Sequence, residues 1–111
     1  MNNHLIPRPH YALLLENGRD RDKDHPPVVK LFTPDGNCTW LLCEVDEDGD
    51  TAFGLCDLGM GCPELGNVSL MELHSARGKL GLPIERDRYF TARHPISVYA
   101  KKARELGRIA A

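Results

Sequence analysis

Apolar positions recur along this chain with two periods. Tyr11, Leu14 and Leu15 stand at i, i+3 and i+4, which predicts a helix that opens near Pro7, a residue suited to a first turn, and stops at Asn17-Gly18. Residues 19–27 (RDRDKDHPP) alternate in charge and end in two prolines, the pattern of an exposed loop with His25 in solvent. Three runs of strand character follow, over 28–33, 39–45 and 51–57, with an Asp-Gly pair in each intervening turn. That arrangement predicts an antiparallel meander. With Asp48-Gly49 as a two-residue turn, Val45 pairs with Ala52, Cys43 with Gly54 and Leu41 with Cys56 on one face. Trp40, Leu42, Glu44, Phe53, Leu55 and Asp57 then share the other. Neither face is polar throughout, so both need cover and 39–45 is the expected central strand.

Residues 57–66 (DLGMGCPELG) hold three glycines and a proline and read as a long shaped loop leaving the third strand. Ser69 with Glu72 three residues on forms a capping box for a short helix that turns Leu70 and Leu73 inward and ends near Gly78. Residues 80–90 scatter their apolar positions around Pro83, as a loop followed by a short edge strand would. Pro95 opens a last helix whose buried stripe is Ile96, Tyr99, Ala100 and Ala103, with Lys101, Lys102, Arg104 and Arg108 toward water. Basic residues at that end also suit the helix dipole. The expected fold is a single α+β domain over 1–111, an antiparallel three- to four-stranded meander covered by about three helices.

A length of 111 residues allows one core and one domain. No run approaches the ~20 apolar residues of a membrane helix, and Met1-Asn2-Asn3-His4 lacks the charged-then-apolar order of a leader, so a cytoplasmic protein without membrane contact is expected. Charge changes the picture more than composition does, because the net −2 conceals a strong segregation. Residues 1–34 carry five bases and four acids, residues 35–72 no base and nine acids, and residues 73–111 nine bases and three acids. Either the basic third folds back on the acidic third, or both are solvated, or the acidic third is a docking surface for a basic partner. Neutralisation between molecules instead would favour a homodimer.

The candidate chemistries are weak by spacing. Cys38, Cys43, Cys56, Cys62 and His74 share one stretch without C-x-x-C pairs, and in the register above Cys43 and Cys56 lie diagonally on one face, ~7–8 Å apart, too far for a disulfide. Packed, reduced thiols with no metal are expected. Asp46, Asp48 and Asp50 imitate the start of a calcium loop, but Thr51 stands where glycine is needed. Glu44 and Asp57 fall ~13 Å apart, beyond a glycosidase pair. Glu64 stands where a dinucleotide loop needs its third glycine. A Cys-His nucleophile from Cys56 or Cys62 with His74 has no local signature. No cofactor is expected, and the chain reads as a non-enzyme.

Several strings together carry a resemblance: Val28-Val29-Lys30-Leu31-Phe32-Thr33-Pro34-Asp35-Gly36, Thr39-Trp40-Leu41-Leu42, Phe53-Gly54-Leu55-Cys56-Asp57-Leu58-Gly59, Cys62-Pro63-Glu64-Leu65-Gly66 and Gly81-Leu82-Pro83-Ile84-Glu85-Arg86-Asp87. They resemble the bacterial domain of unknown function numbered twenty-nine fifty-eight, found in small stand-alone proteins of plasmids, integrative elements and phage-like regions. The likeness spans residues 28–107, with a weaker echo in the first helix, and brings no catalytic residues with it. It implies an accessory or anti-defence factor of a mobile element that binds a host protein. In that reading Asp46, Glu47, Asp48 and Asp50 of the hairpin, with Asp57 and Glu64 of the glycine-rich loop, dock on a basic host-protein surface in place of nucleic acid. The alternative is a nucleic-acid-binding accessory protein that uses Arg86, Arg88, Lys101, Lys102, Arg104 and Arg108. A third, an enzyme around Asp57, Cys62, Glu64 and His74, has only proximity in the chain to support it.

Overall fold

The computed structural model describes residues 5–111; the opening Met1-Asn2-Asn3-His4 lies outside them. Helix α1 (Arg8–Gly18) leads into β1 (Val29–Phe32), β2 (Thr39–Val45), β3 (Thr51–Asp57) and β4 (Glu64–Ser69), followed by α2 (Leu70–Ser75), β5 (Glu85–Arg86) and α3 (Ile96–Leu106). All strands pair antiparallel in the order β4-β3-β2-β1-β5. The meander over 28–57 lies where its alternation and Asp-Gly turns place it, with Gly49 at φ +75°. β2 is the central strand, buried from Trp40 through Val45.

The sheet separates two cores. On one face α1 and α2 close over Leu14, Leu31, Trp40, Leu42, Val45, Leu70 and Leu73. On the other, α3 lays Ile96, Ala100 and Ala103 over Leu41, Cys43 and Leu55. Each fully buried leucine here contributes about 1.5–3 kcal/mol through apolar surface removed from water. Tyr99 of the expected stripe is only half-buried.

The hairpin between β2 and β3 corrects the regular register. Val45 faces Ala52 and Glu44 faces Phe53, but beyond them Leu42 faces Gly54, Leu41 faces Leu55, Trp40 faces Cys56 and Thr39 faces Asp57. Cys43 is the extra residue of a β-bulge, and it reverses the in-out parity of the strand. Its cause is legible in the packing: Trp40, Leu42 and Val45 all belong to the core under α1, which strict alternation forbids. Phe53, Leu55 and Asp57 therefore share a face with Leu41 and Cys43. Cys43 and Cys56 lie on opposite faces rather than together. Asn17 Nδ2 donates to the Cys43 carbonyl at 2.9 Å, so the end of α1 satisfies an acceptor beside the bulge.

Residues 57–66, expected as a loop, are not one throughout. Its end, from Glu64, begins a fifth strand, β4, so the sheet exceeds the three to four strands expected. β4 is exposed or half-buried along its length, with Gly66 within it, so no apolar alternation marks it; its pairing with β3 is a main-chain matter. The short edge strand expected within 80–90 is β5. Helix α2 begins at the expected cap, with Ser69 Oγ accepting from the Glu72 N–H at 3.2 Å, but stops at Ser75 instead of near Gly78. There Asp35 takes hold of the chain: its Oδ2 accepts the N–H groups of Leu80 at 2.7 Å and Leu82 at 3.3 Å.

The charged loop 19–27 is exposed up to Asp24, yet it is anchored. Arg21 pairs with Asp46 at 2.9 Å and with Glu44 at 3.6 Å, and Asp24 accepts from the hydroxyl and N–H of Ser97 at the start of α3. The His25 carbonyl accepts the Ile96 N–H at 2.9 Å, and its half-buried ring lies 2.6 Å from the Asp20 carbonyl instead of pointing into solvent.

Candidate functional site

The acidic set expected to form one docking surface is divided by the length of the sheet. Asp46, Glu47, Asp48 and Asp50 sit at the β2–β3 turn, whereas Glu64 pairs with Cys56 near the opposite end of β3, five residues along. At 3.3–3.4 Å per residue that is ~17 Å. Asp57 leaves the surface set altogether. It is 4% exposed, and its two carboxylate oxygens accept the N–H groups of Gly59 and Ile109, each at 2.9 Å.

Three of the hairpin acids hold the fold locally. Asp46 pairs with Arg21. Asp48 accepts the Thr51 hydroxyl at 2.6 Å and the N–H groups of Asp50 and Thr51 at 2.9 and 2.8 Å, and these bonds keep its carboxyl below the usual aspartate range. Asp50 accepts the Ser69 hydroxyl at 2.6 Å and the Met71 N–H at 2.8 Å, which ties the hairpin to the start of α2. Glu47 is exposed.

The basic set is divided by the thickness of the sheet. Arg86 pairs with Leu31, whose side chain belongs to the core under α1 and α2, so Arg86 projects to that face. Lys101, Lys102 and Arg104 ride on α3, which covers the other face. No single surface gathers all six cations.

What the fold does gather was not legible as a motif. Arg86 and Arg88 from β5 and its sequel meet His74 and Arg77 from the end of α2 around a groove of about 370 Å³. Its apolar wall is Leu5, Pro7, Pro83 and Ile84, and Glu85 is the one carboxylate among its described lining residues. The Arg77 guanidinium is held at the helix end by the carbonyls of Ala76 at 2.8 Å and His74 at 3.3 Å. Among the described residues none of the three arginines has an ion-pair partner. The chain approaches this arrangement through the Arg77–Pro83 bridge, which folds 77–83 into a narrow loop and delivers Ile84, buried, to the start of β5. Two other concavities are of different character. One, beneath the hairpin, mixes Arg19 and Arg21 with Asp46 and Glu47; the other, beside α3, is lined by Tyr89, Phe90, His94 and Tyr99.

The nucleophile reading loses its geometry. Burial pushes the Cys43 thiol up to about 12, helped by Glu44 and Asp24, and pushes Cys56 up to about 11, so both are protonated at neutral pH. Cys62 is exposed, but it precedes β4 at one edge of the sheet, whereas His74 lines the groove beside β5 at the other edge. Asp57, Cys62, Glu64 and His74 therefore do not converge. Among the described residues no helix is long and apolar enough to cross a membrane.

No curated protein and no solved structure matches the chain. The family described as "Protein of unknown function (DUF2958)" matches residues 5–110, so its model takes in α1 as well as the sheet, the groove and α3. The chain belongs to that family.

Proposed function

We propose that this domain acts by binding rather than by turnover, and that the groove between α2 and β5 contacts the phosphate backbone of a nucleic acid. The observation that carries the reading is the convergence of Arg77, Arg86 and Arg88 without a carboxylate partner for any of them among the described residues. A guanidinium fork matches two phosphate oxygens at once, and a half-buried arginine such as Arg86 has lost part of its hydration with no ion pair among the described residues in return. Pro7 and Pro83 offer flat apolar surface beside those cations for a sugar or base. This assigns the contact to the groove instead of to α3, whose cations stand on the other face. An accessory role on a mobile element, anti-defence included, would then be exercised by occupying nucleic acid. Docking of the acidic hairpin on a host protein is the weaker reading, because Asp46, Asp48 and Asp50 are engaged within the domain.

Fluorescence anisotropy with labelled single-stranded and duplex oligonucleotides tests the proposal. Binding at low salt is expected, with a log–log salt slope of about −2 to −3 for some three neutralised phosphates. Reversal of Arg86 and Arg88 to Glu should abolish it, and reversal of Lys101 and Lys102 should leave it in place. Absence of binding at low salt, or the opposite pattern of losses, rejects the groove.

A further inference from the structure

The sheet ends in two unlike edges. β5 is two residues long and both are charged, a form of edge that discourages pairing. β4 is six residues long and has a single charged residue, Glu64. The Leu70 N–H donates to the Asp50 carbonyl at 2.9 Å, in the same register that sets Thr51 against Ser69. Alternation along an antiparallel ladder then makes Ala52–Val68, Gly54–Gly66 and Cys56–Glu64 the hydrogen-bonded pairs. Leu65 and Asn67 consequently turn their N–H and C=O groups outward, along the open edge.

Apolar side chains border that edge. Leu65 is 41% exposed and pairs with Leu55, so it lies on the α3 side. Met60 is 81% exposed on the loop before β4, and Leu106 is 49% exposed at the end of α3. A Cβ on Gly107 would lie 3.6 Å from the Gly61 carbonyl, so that loop and the end of α3 are neighbours.

Charge supplies the reason for a particular occupant. Among the described residues no ion pair joins an acid of 35–72 to a Lys or Arg of 73–111, so the two segregated thirds do not pair directly with one another within one molecule. Members of each also lie toward opposite ends of β4. Ser69 adjoins the acidic hairpin through Asp50, with Glu47, Asp48 and Glu72 nearby, whereas the loop before Glu64 adjoins the end of α3, and that helix with its sequel carries Lys101, Lys102, Arg104 and Arg108 against Glu105, Glu64 and the buried Asp57.

We propose that β4 pairs antiparallel with β4 of a second copy of this chain, about a two-fold axis at Gly66. Leu65 of each copy then faces Asn67 of the other, and their outward N–H and C=O groups satisfy one another. Gly66 meets Gly66 at the axis, where a Cβ would contact nothing in its own chain. The reversal of direction sets the acidic end of each copy beside the basic end of its partner, a self-complementary contact of the kind that closes a dimer. The groove lies by β5, at the other side of the sheet, so the two proposals stand or fall separately.

Sedimentation equilibrium of the full chain at low salt and tens of micromolar reads the outcome. The mass of two chains is expected for the wild type, and of one chain for Leu65→Lys and Asn67→Pro, the latter removing only an outward N–H. Unchanged far-ultraviolet circular dichroism of Leu65→Lys guards against loss by unfolding. A wild type that sediments as a single chain overturns the proposal, as does a dimer that survives Leu65→Lys. Gly66→Cys in a Cys62→Ser background should cross-link on mild oxidation, since Cα atoms of a non-hydrogen-bonded pair stand ~4.5 Å apart. A dimer that fails to cross-link there has its axis elsewhere, and the proposal is then wrong.

Discussion

Ile109 donates its main-chain N–H to the buried Oδ2 of Asp57 at 2.9 Å, which fastens the segment beyond α3 to the end of β3. The same carboxylate turns the chain out of β3 by accepting from Gly59. Replacement of Asp57 by Ala leaves two donors without an acceptor and is expected to destabilise the domain by about 2–3 kcal/mol, read as a lowered midpoint of urea unfolding. Nucleic-acid affinity of the fraction that remains folded should be unchanged. A loss of affinity at full stability would return Asp57 to a binding role.

Gly54 and Gly18 are sites where chain approaches chain. A Cβ at Gly54 would lie 2.0 Å from the Leu41 carbonyl oxygen, and one at Gly18 would lie 2.0 Å from that of Val45. Main chain cannot yield as a flexible side chain does, so Gly→Ala at either position is expected to cost about 3 kcal/mol. Thermal melts of the two variants should both fall well below the wild type.

Two carboxyls give opposite pH dependence. Burial raises the pKa of Glu44 despite the opposing pull of His25 and Arg21, so its contribution to stability is fully present below the ordinary glutamate range and is lost as pH rises through the raised value. Asp48 is lowered by its bonds to Thr51 and Asp50, so its contribution is present above the ordinary aspartate range and is lost as pH falls through the depressed value. Glu44→Gln should therefore raise the melting temperature at neutral pH, with an advantage that shrinks on acidification. Asp48→Asn should lower it at neutral pH, with a penalty that vanishes under strongly acid conditions.

Thiol labelling separates the four cysteines by place. Cys62 is exposed, Cys38 half-buried, and Cys43 lies in the core under α3. Iodoacetamide at mildly alkaline pH should modify Cys62 first, with Cys43 and Cys56 reacting only after denaturation, as mass spectrometry of digests would show. Rapid native labelling of Cys43 would contradict the bulged register that buries it.

Asn17 tests that bulge from the other partner. Asn17→Ala removes the donor to the Cys43 carbonyl and is expected to cost about 1–2 kcal/mol, whereas the same change at the exposed Asn37 turn position should cost less than half as much. Equal losses at the two sites would show that the bulge does not depend on α1.

Local rules were enough for the elements whose signals are local. The Tyr11, Leu14 and Leu15 spacing, the two Asp-Gly turns, the Ser69 and Glu72 cap and Pro95 each mark a boundary through geometry within a few residues, and α1, β1 to β3, α2 and α3 begin or end close to those marks. Three features required the assembled chain. The bulge at Cys43 exists because Val45 must join Trp40 and Leu42 under α1, a demand made by packing across the sheet and invisible to strict alternation. β4 exists because β3 offers it a hydrogen-bonding edge, which asks nothing of its side chains. The arginine groove exists because antiparallel pairing of β5 with β1 turns Arg86 toward the end of α2, where Arg77 and His74 arrive from another part of the chain. The segregated thirds are written in the sequence, but which cations share a surface depends on the sheet lying between them.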